Sequence, residues 1–193
     1  MLIDHLHCLD QRLIDLSDPL KSDAGRGLDV IQLWVPTERI GLHLVDIPSA
    51  PERKWPDLIP WILEDKVLQP VEEMHFVVVG RTEFQLQVMA VSRHDMSEWI
   101  RIAENTGVSP VAMAPDFMAL PNEAGILSIG WREGMLLVRE SNNIGFSAHP
   151  DVGWSLIDST IENSEITPRI SISVPDVDMV PAHLRAESNI NNE

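Results

Sequence analysis

The residues of this chain that could do chemistry are few and poorly grouped. His5, His7 and Cys8 form the only tight cluster of residue types that bind metals. A structural zinc site normally needs a second pair of ligands at a defined spacing. The other five histidines are scattered singly, at His43, His75, His94, His149 and His183. We therefore predict no metal site, and we interpret residues 1–27 as a loosely held, solvated segment.

Motifs for phosphate binding and for catalysis are also missing. A phosphate-binding loop ends in Gly-Lys-Ser or Gly-Lys-Thr, whereas Gly25 and Gly27 supply only half of a dinucleotide fingerprint in a polar loop. Ser147 and His149 stand two residues apart, and we interpret them as ordinary surface residues. Adjacent carboxylates on a helix point to different sides, which argues against a catalytic role for two acidic pairs: Glu64 with Asp65, and Glu72 with Glu73. The sequence predicts a protein that is not an enzyme and uses no cofactor.

Composition limits the class of partner. Thirty acidic residues against fourteen basic ones give a net charge of -16, so the surface repels polyanions. Nucleic-acid binding needs Lys and Arg to neutralise phosphates and is excluded, and an anionic membrane is disfavoured. A basic protein surface suits this charge. With a single cysteine, no signal peptide and no run of ~18 to 20 apolar residues, we expect a soluble chain in a reducing compartment.

The periodicity of apolar residues predicts a mixed α/β chain. Leu28–Val35 and Gly41–Ile47 are predicted to be two strands of one central sheet. The capping-box pattern Ser49-Ala-Pro-Glu52 predicts the start of a helix that ends near Leu68. Pro60 interrupts this helix and predicts a kink or a joint. Its apolar stripe has helical spacing: Trp55, Leu58, Ile59, Ile62, Leu63 and Val67. We assign the tryptophans on or beside apolar stripes to the core: Trp55, Trp61 and Trp99.

Further strands and helices follow the first helix. Met74–Val79 and Phe84–Val91 read as a hairpin, and Ser92 as the cap of a helix that ends at Gly107. The remaining predicted elements are a hairpin of Gly125–Gly130 with Met135–Arg139, a short helix near Asp151, an edge strand at Arg169–Val174, and a weakly ordered polar tail at Ser188–Glu193.

Six motifs in order resemble the family of type II secretion system protein L (GspL), in its cytoplasmic part. They cover about two thirds of the chain, from Leu28 to Leu156. The motifs are W-x-x-L-I-P-W-I-L-E-D at 55–65, V-E-E-M-H-F-V-V at 71–78, V-M-A-V-S-R-H-D-M-S-E-W-I at 88–100, A-E-N-T-G-V-S-P-V at 103–111, A-P-D-F-M-A-L-P at 114–121 and G-I-L-S-I-G-W-R-E-G-M-L-L-V-R-E at 125–140.

The resemblance implies an actin-like (ribonuclease H-like) α/β fold of three small subdomains with mixed sheets. We place them at residues 1–49 with 109–122, at 50–108 as an inserted helix-strand-strand-helix unit, and at 123–193. The resemblance also implies a position at the cytoplasmic face of the bacterial inner membrane, in the platform of type II protein secretion. The implied partner is the N-terminal domain of the GspE-type secretion ATPase. Other implied partners are GspM- and GspF-type platform proteins and a second copy of the chain. The resemblance also implies that family members continue into a transmembrane helix and a periplasmic region, and we expect this chain to correspond to the cytoplasmic part alone.

One departure from actin-like ATPases can be argued from residues. Those enzymes hold metal and phosphates with an aspartate in each of two hairpins, and here Ser128 stands where the second acidic residue is expected. Residues 1–9 lack the Asp-x-Gly pattern of the first hairpin. We therefore expect a degenerate nucleotide site. The alternatives are an actin-like platform protein of type IV pili, a nucleotide-binding ATPase of the actin superfamily, and an unrelated small-molecule binding module.

Acidic residues in the third subdomain are the predicted docking site for the ATPase. No Lys or Arg occurs between the first and the last of them, so their combined field is not neutralised by neighbours in sequence. The predicted partner-binding residues are Glu140, Asp151, Asp158, Glu162 and Glu165.

Overall fold

The computed structural model describes residues 32–105, 110, 112–141 and 143–191. The chain separates into two compact units, at residues 1–115 and 116–193. Within the described residues no helix has the length and apolarity needed to cross a bilayer. Two features of the sequence analysis lie outside the described residues: the cluster of His5, His7 and Cys8, for which we predicted no metal site, and the half fingerprint at Gly25 and Gly27.

An antiparallel sheet organises the first unit. Its strands are β2 (Ile40–Asp46), β3 (Met74–Arg81) and β4 (Gln85–Ser92), in the order β2-β4-β3. Side chains alternate between the two faces of a strand, so Leu86 and Val88 of β4 face the same side as Val45 of β2. Helix α1 (Trp55–Ile62) covers that face. The predicted hairpin is confirmed, with a bulge between Val78 and Gly80.

The apolar stripe of α1 is largely confirmed, because Trp55, Ile59 and Leu63 are buried against the sheet. Burial of each aliphatic side chain contributes about 1.5–3 kcal/mol. Trp55 Nε1 donates to the carbonyl of Ala50 over 2.9 Å. Turns of 3-10 helix at Glu52–Lys54 and Glu64–Lys66 flank α1, so Pro60 lies in a short helix and the segment is joined from pieces.

Two details of this helix were predicted wrongly. Pro51 occupies the N-cap of the first 3-10 turn with no side-chain cap, so Ser49 forms no capping box. Trp61 is 58% exposed and Ile62 is 42% exposed. Because the buried stripe follows the spacing of Trp55, Ile59 and Leu63, Trp61 points away from the sheet.

A second layer of the first unit consists of a parallel pair of strands and one helix. Strand β1 (Gln32–Val35) pairs with β5 (Ala112–Pro115). Helix α2 (Arg93–Asn105) buries Ala103 with Leu33 and Val35 of β1, and Trp99 packs beside them. The Ser92 hydroxyl accepts from the amides of His94 and Asp95, as the sequence predicted for a cap.

The prediction that the first two strands share one sheet is wrong. β1 pairs with β5, whereas β2 pairs with β4. Both pairings join strands far apart in sequence, which periodicity cannot detect. The division into three subdomains stays a prediction.

The second unit is built on a mixed sheet of five strands in the order β10-β9-β6-β7-β8. These strands span Ile126–Arg132 (β6), Met135–Arg139 (β7), Gly145–Ala148 (β8), Arg169–Ser173 (β9) and Ser188–Asn191 (β10). Helix α3 (Pro150–Glu162) buries Ile157 against the sheet, and α4 (Ala182–Glu187) buries Leu184. The hairpin and the helix near Asp151 are confirmed.

The C-terminal part of the sheet corrects two expectations. Residues Ser188–Asn191 form a strand, although the sequence predicted a weakly ordered tail. They pair in parallel with Ile170–Ser173, which makes β9 an internal strand and not an edge. The polar composition of the segment concealed this pairing, because backbone hydrogen bonds make the ladder.

The glycine at the start of β8 is required by close packing. A Cβ placed on Gly145 would lie 2.3 Å from the carbonyl oxygen of Val138 and 2.4 Å from the ring of Phe117. The Val138 carbonyl is fixed by the β7–β8 ladder, and the Phe117 ring is buried at 2% exposure, so it has little room to give way.

We predict that Gly145→Ala lowers the free energy of unfolding by about 1–3 kcal/mol, because the added methyl overpacks the strand. Denaturant unfolding monitored by circular dichroism measures the change. The variant Gly134→Ala is the comparison for the effect of a methyl group without overpacking. Gly134 has a positive φ of 89°, so its substitution strains the backbone, but the space around its Cβ position is open. A loss no larger than about 0.5 kcal/mol for Gly145→Ala, within the usual range of surface substitutions, would contradict the packing argument.

Candidate functional site

Three of the five predicted docking residues share one side of α3. Asp151 and Asp158 are seven residues apart and Glu162 follows four residues later, so helical geometry places all three in one row. We call these three residues the acidic ridge. Asp151 lies in the first turn, where the helix dipole favours a negative charge.

Exposed apolar side chains lie beside the acidic ridge. Val152 is 57% exposed and Leu156 is 43% exposed, and they are one helical turn apart. We call this pair the apolar stripe. An acidic row next to an apolar row is a surface that water solvates poorly on one side and strongly on the other. Such a surface resembles the mixed polar and apolar composition of protein–protein interfaces.

Glu140 lies close to Leu156 of the apolar stripe. Together with Leu156 it lines an open depression of about 710 Å³, to which Phe146, Ser159 and Thr160 also contribute. Partial removal of water by its surroundings raises the pKa of the Glu140 carboxyl. Glu165 is exposed beyond the C-terminus of α3 and is not part of the ridge.

Two histidines contact carboxylates of the acidic ridge. The sequence analysis did not predict this role for them. His149 is the N-cap of α3, and its Nδ1 lies 3.4 Å from the Asp151 amide and 3.2 Å from the Asp151 carboxylate. His183 Nε2 lies 2.9 Å from the Asp158 carboxylate, from a position 25 residues away in sequence. The Asp158 contact depends on the packing of α4 beside α3, so no local pattern could have revealed it.

The hairpin of β6 and β7 contains the position where an actin-like ATPase would have its second acidic residue. Ser128 is 2% exposed, and its hydroxyl donates to the Pro121 carbonyl over 2.8 Å. The hydroxyl is thus used within the fold. The turn that joins β6 to β7 consists of Glu133 and Gly134. Both residues have a positive φ, which is the geometry of a type I′ hairpin turn.

A buried ion pair occupies the far end of the same hairpin strand. Arg132 Nε lies 2.6 Å from a carboxylate oxygen of Asp116, and the two side chains are 9% and 6% exposed. Among the described residues, no three side chains of His, Cys, Asp or Glu are grouped so that they could hold a metal ion.

Solved structures with this architecture define its class. The chain superposes on the cytoplasmic domain of EpsL, an inner membrane component of the type II secretion system of Vibrio cholerae, with a TM-score of 0.69 at 20% identity, over 84% of this chain and 64% of that one. It superposes on a chain of the PilM–PilN type IV pilus biogenesis complex with a TM-score of 0.54 at 10% identity, over 96% of this chain and 75% of that one. The class is an α/β protein with an actin-like fold.

Sequence comparison places the chain in one family of this class. The family described as type II secretion system, protein L, matches residues 7–191. The protein L of Dickeya chrysanthemi is 27% identical over 126 residues, which are 65% of this chain and 32% of that protein. The protein L of Klebsiella pneumoniae is 30% identical over 88 residues, 46% of this chain and 22% of that protein. The chain belongs to the type II secretion system protein L family, and it matches about a third or less of the length of these relatives.

We predict that Asp116→Ala lowers the stability of the second unit by about 3–5 kcal/mol, because it leaves the buried Arg132 guanidinium without this carboxylate. Thermal and denaturant unfolding measure the loss. The double variant Asp116→Leu with Arg132→Met should recover most of it, since neither charge then remains buried. An equal loss in the single and double variants would mean that packing and not charge sets the cost.

Proposed function

We propose that this chain is a non-enzymatic adaptor of the type II secretion platform that binds the N-terminal domain of the GspE-type ATPase through the acidic ridge. The observation on which the proposal rests is the position of the ridge beside the apolar stripe on the exposed side of α3. Membership of the protein L family supports a role in the secretion machinery.

The arrangement fits a docking mechanism in two stages. Negative charge on the ridge attracts a basic partner surface at long range and raises the association rate. Val152 and Leu156 then supply apolar area that is removed from water when the two surfaces meet. Glu140 lines the same depression as Leu156, so its carboxylate would lie near the apolar contact with the partner.

The other proposed partners follow from the same role. An adaptor of this platform would stand at the cytoplasmic face of the inner membrane and contact GspM- and GspF-type components, and it could associate with a second copy of itself. The family match favours this reading over a type IV pilus platform protein.

We predict that reversing two charges of the acidic ridge, together with the nearby Glu140, weakens recruitment of the ATPase domain. The triple variant Glu140→Lys, Asp151→Lys and Asp158→Lys should lower the association rate by about tenfold at low salt and flatten its salt dependence. Stopped-flow association with the isolated N-terminal domain of the same organism's ATPase gives both quantities.

A matched control separates local charge from net charge. The variant Glu72→Lys, Glu83→Lys and Glu104→Lys makes the same change in net charge at exposed positions of the first unit and should leave the salt dependence steep. If both triple variants behave like the unmodified chain, or if they slow association equally, the acidic ridge is not the docking site.

We predict no magnesium-dependent binding of ATP. Ser128 replaces the expected carboxylate and its hydroxyl already donates to the Pro121 carbonyl, so no carboxylate occupies the position from which the second hairpin would hold the cation. Isothermal titration calorimetry of the chain with ATP, in magnesium and in EDTA, measures this. Saturable binding at micromolar affinity that disappears in EDTA would restore the ATPase alternative.

A further inference from the structure

A second charged surface lies in the first unit and has the opposite sign. A pocket of about 280 Å³ opens at one end of the sheet face that α1 covers. Gly41 lies opposite Ala90 in the β2–β4 ladder, and both line the pocket with His43. The chain that follows α1, residues 66–69, forms the other wall. We call this site the basic pocket.

Three basic side chains converge on the basic pocket although the chain has a net charge of -16. They are Arg39, His43 and Lys66. Arg39 is 64% exposed, and its partner Asp95 lies 3.9 Å away, beyond hydrogen-bond distance. Within the part of the chain that the structure describes, Lys66 forms no ion pair. Both cations therefore keep donors for an incoming anion.

His43 reports on the electrostatics of the pocket. Burial lowers the pKa of its imidazole, and the positive charge of Lys66 lowers it further. The charged groups that line the pocket with it are Arg39, Lys66 and Asp95. Gly41 leaves room for the ring, since a Cβ there would lie 2.7 Å from His43 Nε2. An anion bound between the cations would raise the pKa of His43.

Apolar groups complete the lining. Val67 and Leu68 continue the wall after Lys66, and Met74 of β3 and Ala90 of β4 lie beside them. Leu68 is fully exposed to solvent, so a ligand that covered it would gain free energy by removing its apolar surface from water. The lining thus suits a ligand that has a carboxylate next to an apolar side chain.

We propose that the basic pocket binds an acidic peptide segment of a partner protein, in which a Glu or Asp carboxylate pairs with Arg39 and Lys66 while a neighbouring aliphatic side chain packs on Leu68. Charge complementarity identifies this occupant, because a basic or neutral segment gains nothing from the two cations. The site uses no residue of the acidic ridge, so it stands or falls independently of ATPase docking.

The test uses a defined probe on the full chain. A dye-labelled octapeptide of sequence Gly-Ser-Glu-Leu-Glu-Leu-Ser-Gly is titrated by fluorescence polarisation, beside the same peptide with Gln in place of both Glu. We expect the Gln peptide to bind at least about tenfold more weakly, the size expected for losing one charge-assisted contact. Two-dimensional NMR should show shifts at Arg39, His43 and Leu68, and the titration of His43 should move to higher pH in the bound state.

Two charge-reversal variants decide the assignment. Lys66→Glu should weaken the Glu peptide by about tenfold or more, whereas Lys54→Glu, an equal charge change at an exposed position outside the pocket, should weaken it by less than about twofold. Far-ultraviolet circular dichroism establishes that both variants fold. Equal affinity of the Glu and Gln peptides, equal effects of the two variants, or binding to anionic lipid vesicles with none to the peptide would overturn the proposal.

Discussion

Strand register is the physical constraint on which both units of this chain depend. A pleated strand sends successive side chains to opposite faces, so one alignment decides which residues are buried. In the first unit it gives Leu86 and Val88 to the face under α1. In the second it sends Leu127 and Ile129 into the core, and Ser128 between them bonds to Pro121. A slip of one residue would expose the core and bury polar groups.

Charged side chains are distributed unevenly over the surface of the chain. The chain is strongly acidic, and three of its carboxylates lie in a row beside exposed apolar side chains on α3. Arg39 and Lys66, by contrast, line one pocket in the first unit. Two regions of opposite sign on separate units allow two partners to be distinguished by charge alone. Under the two proposals above, such a chain would hold two different proteins at the same time.

The sequence predicted local elements well and long-range pairing poorly. The α1 stripe, the Ser92 cap and the β6–β7 hairpin were correct because each depends on residues near one another. The partners of β1 and the strand at Ser188–Asn191 were missed because their pairings join distant segments through the backbone. Trp61 was assigned to the core because it lies beside the predicted apolar stripe, but the spacing of the buried residues directs its side chain to solvent. The docking candidates were chosen from the sequence because no basic residue lies between them. The shared side of α3 and the histidine contacts to two of the candidates follow from the helix bounds, the cap geometry and the packing of α4.

The pairing of β1 with β5 has a consequence for how the chain acquires its structure. Gln32 pairs with Ala112, and the residues of the β2-β4-β3 sheet and of α2 lie between them in sequence. The ladder of β1 and β5 can therefore close only after all of those residues have been synthesised. Closing so long a loop carries an entropic cost that local hairpins avoid. We therefore expect the antiparallel sheet to form first during synthesis, and the parallel pair of β1 and β5 to form after it. Strand β1 then stays without its partner while some eighty residues are added, which takes about 4–16 s at ordinary elongation rates. During that interval β1 is a strand edge open to other chains.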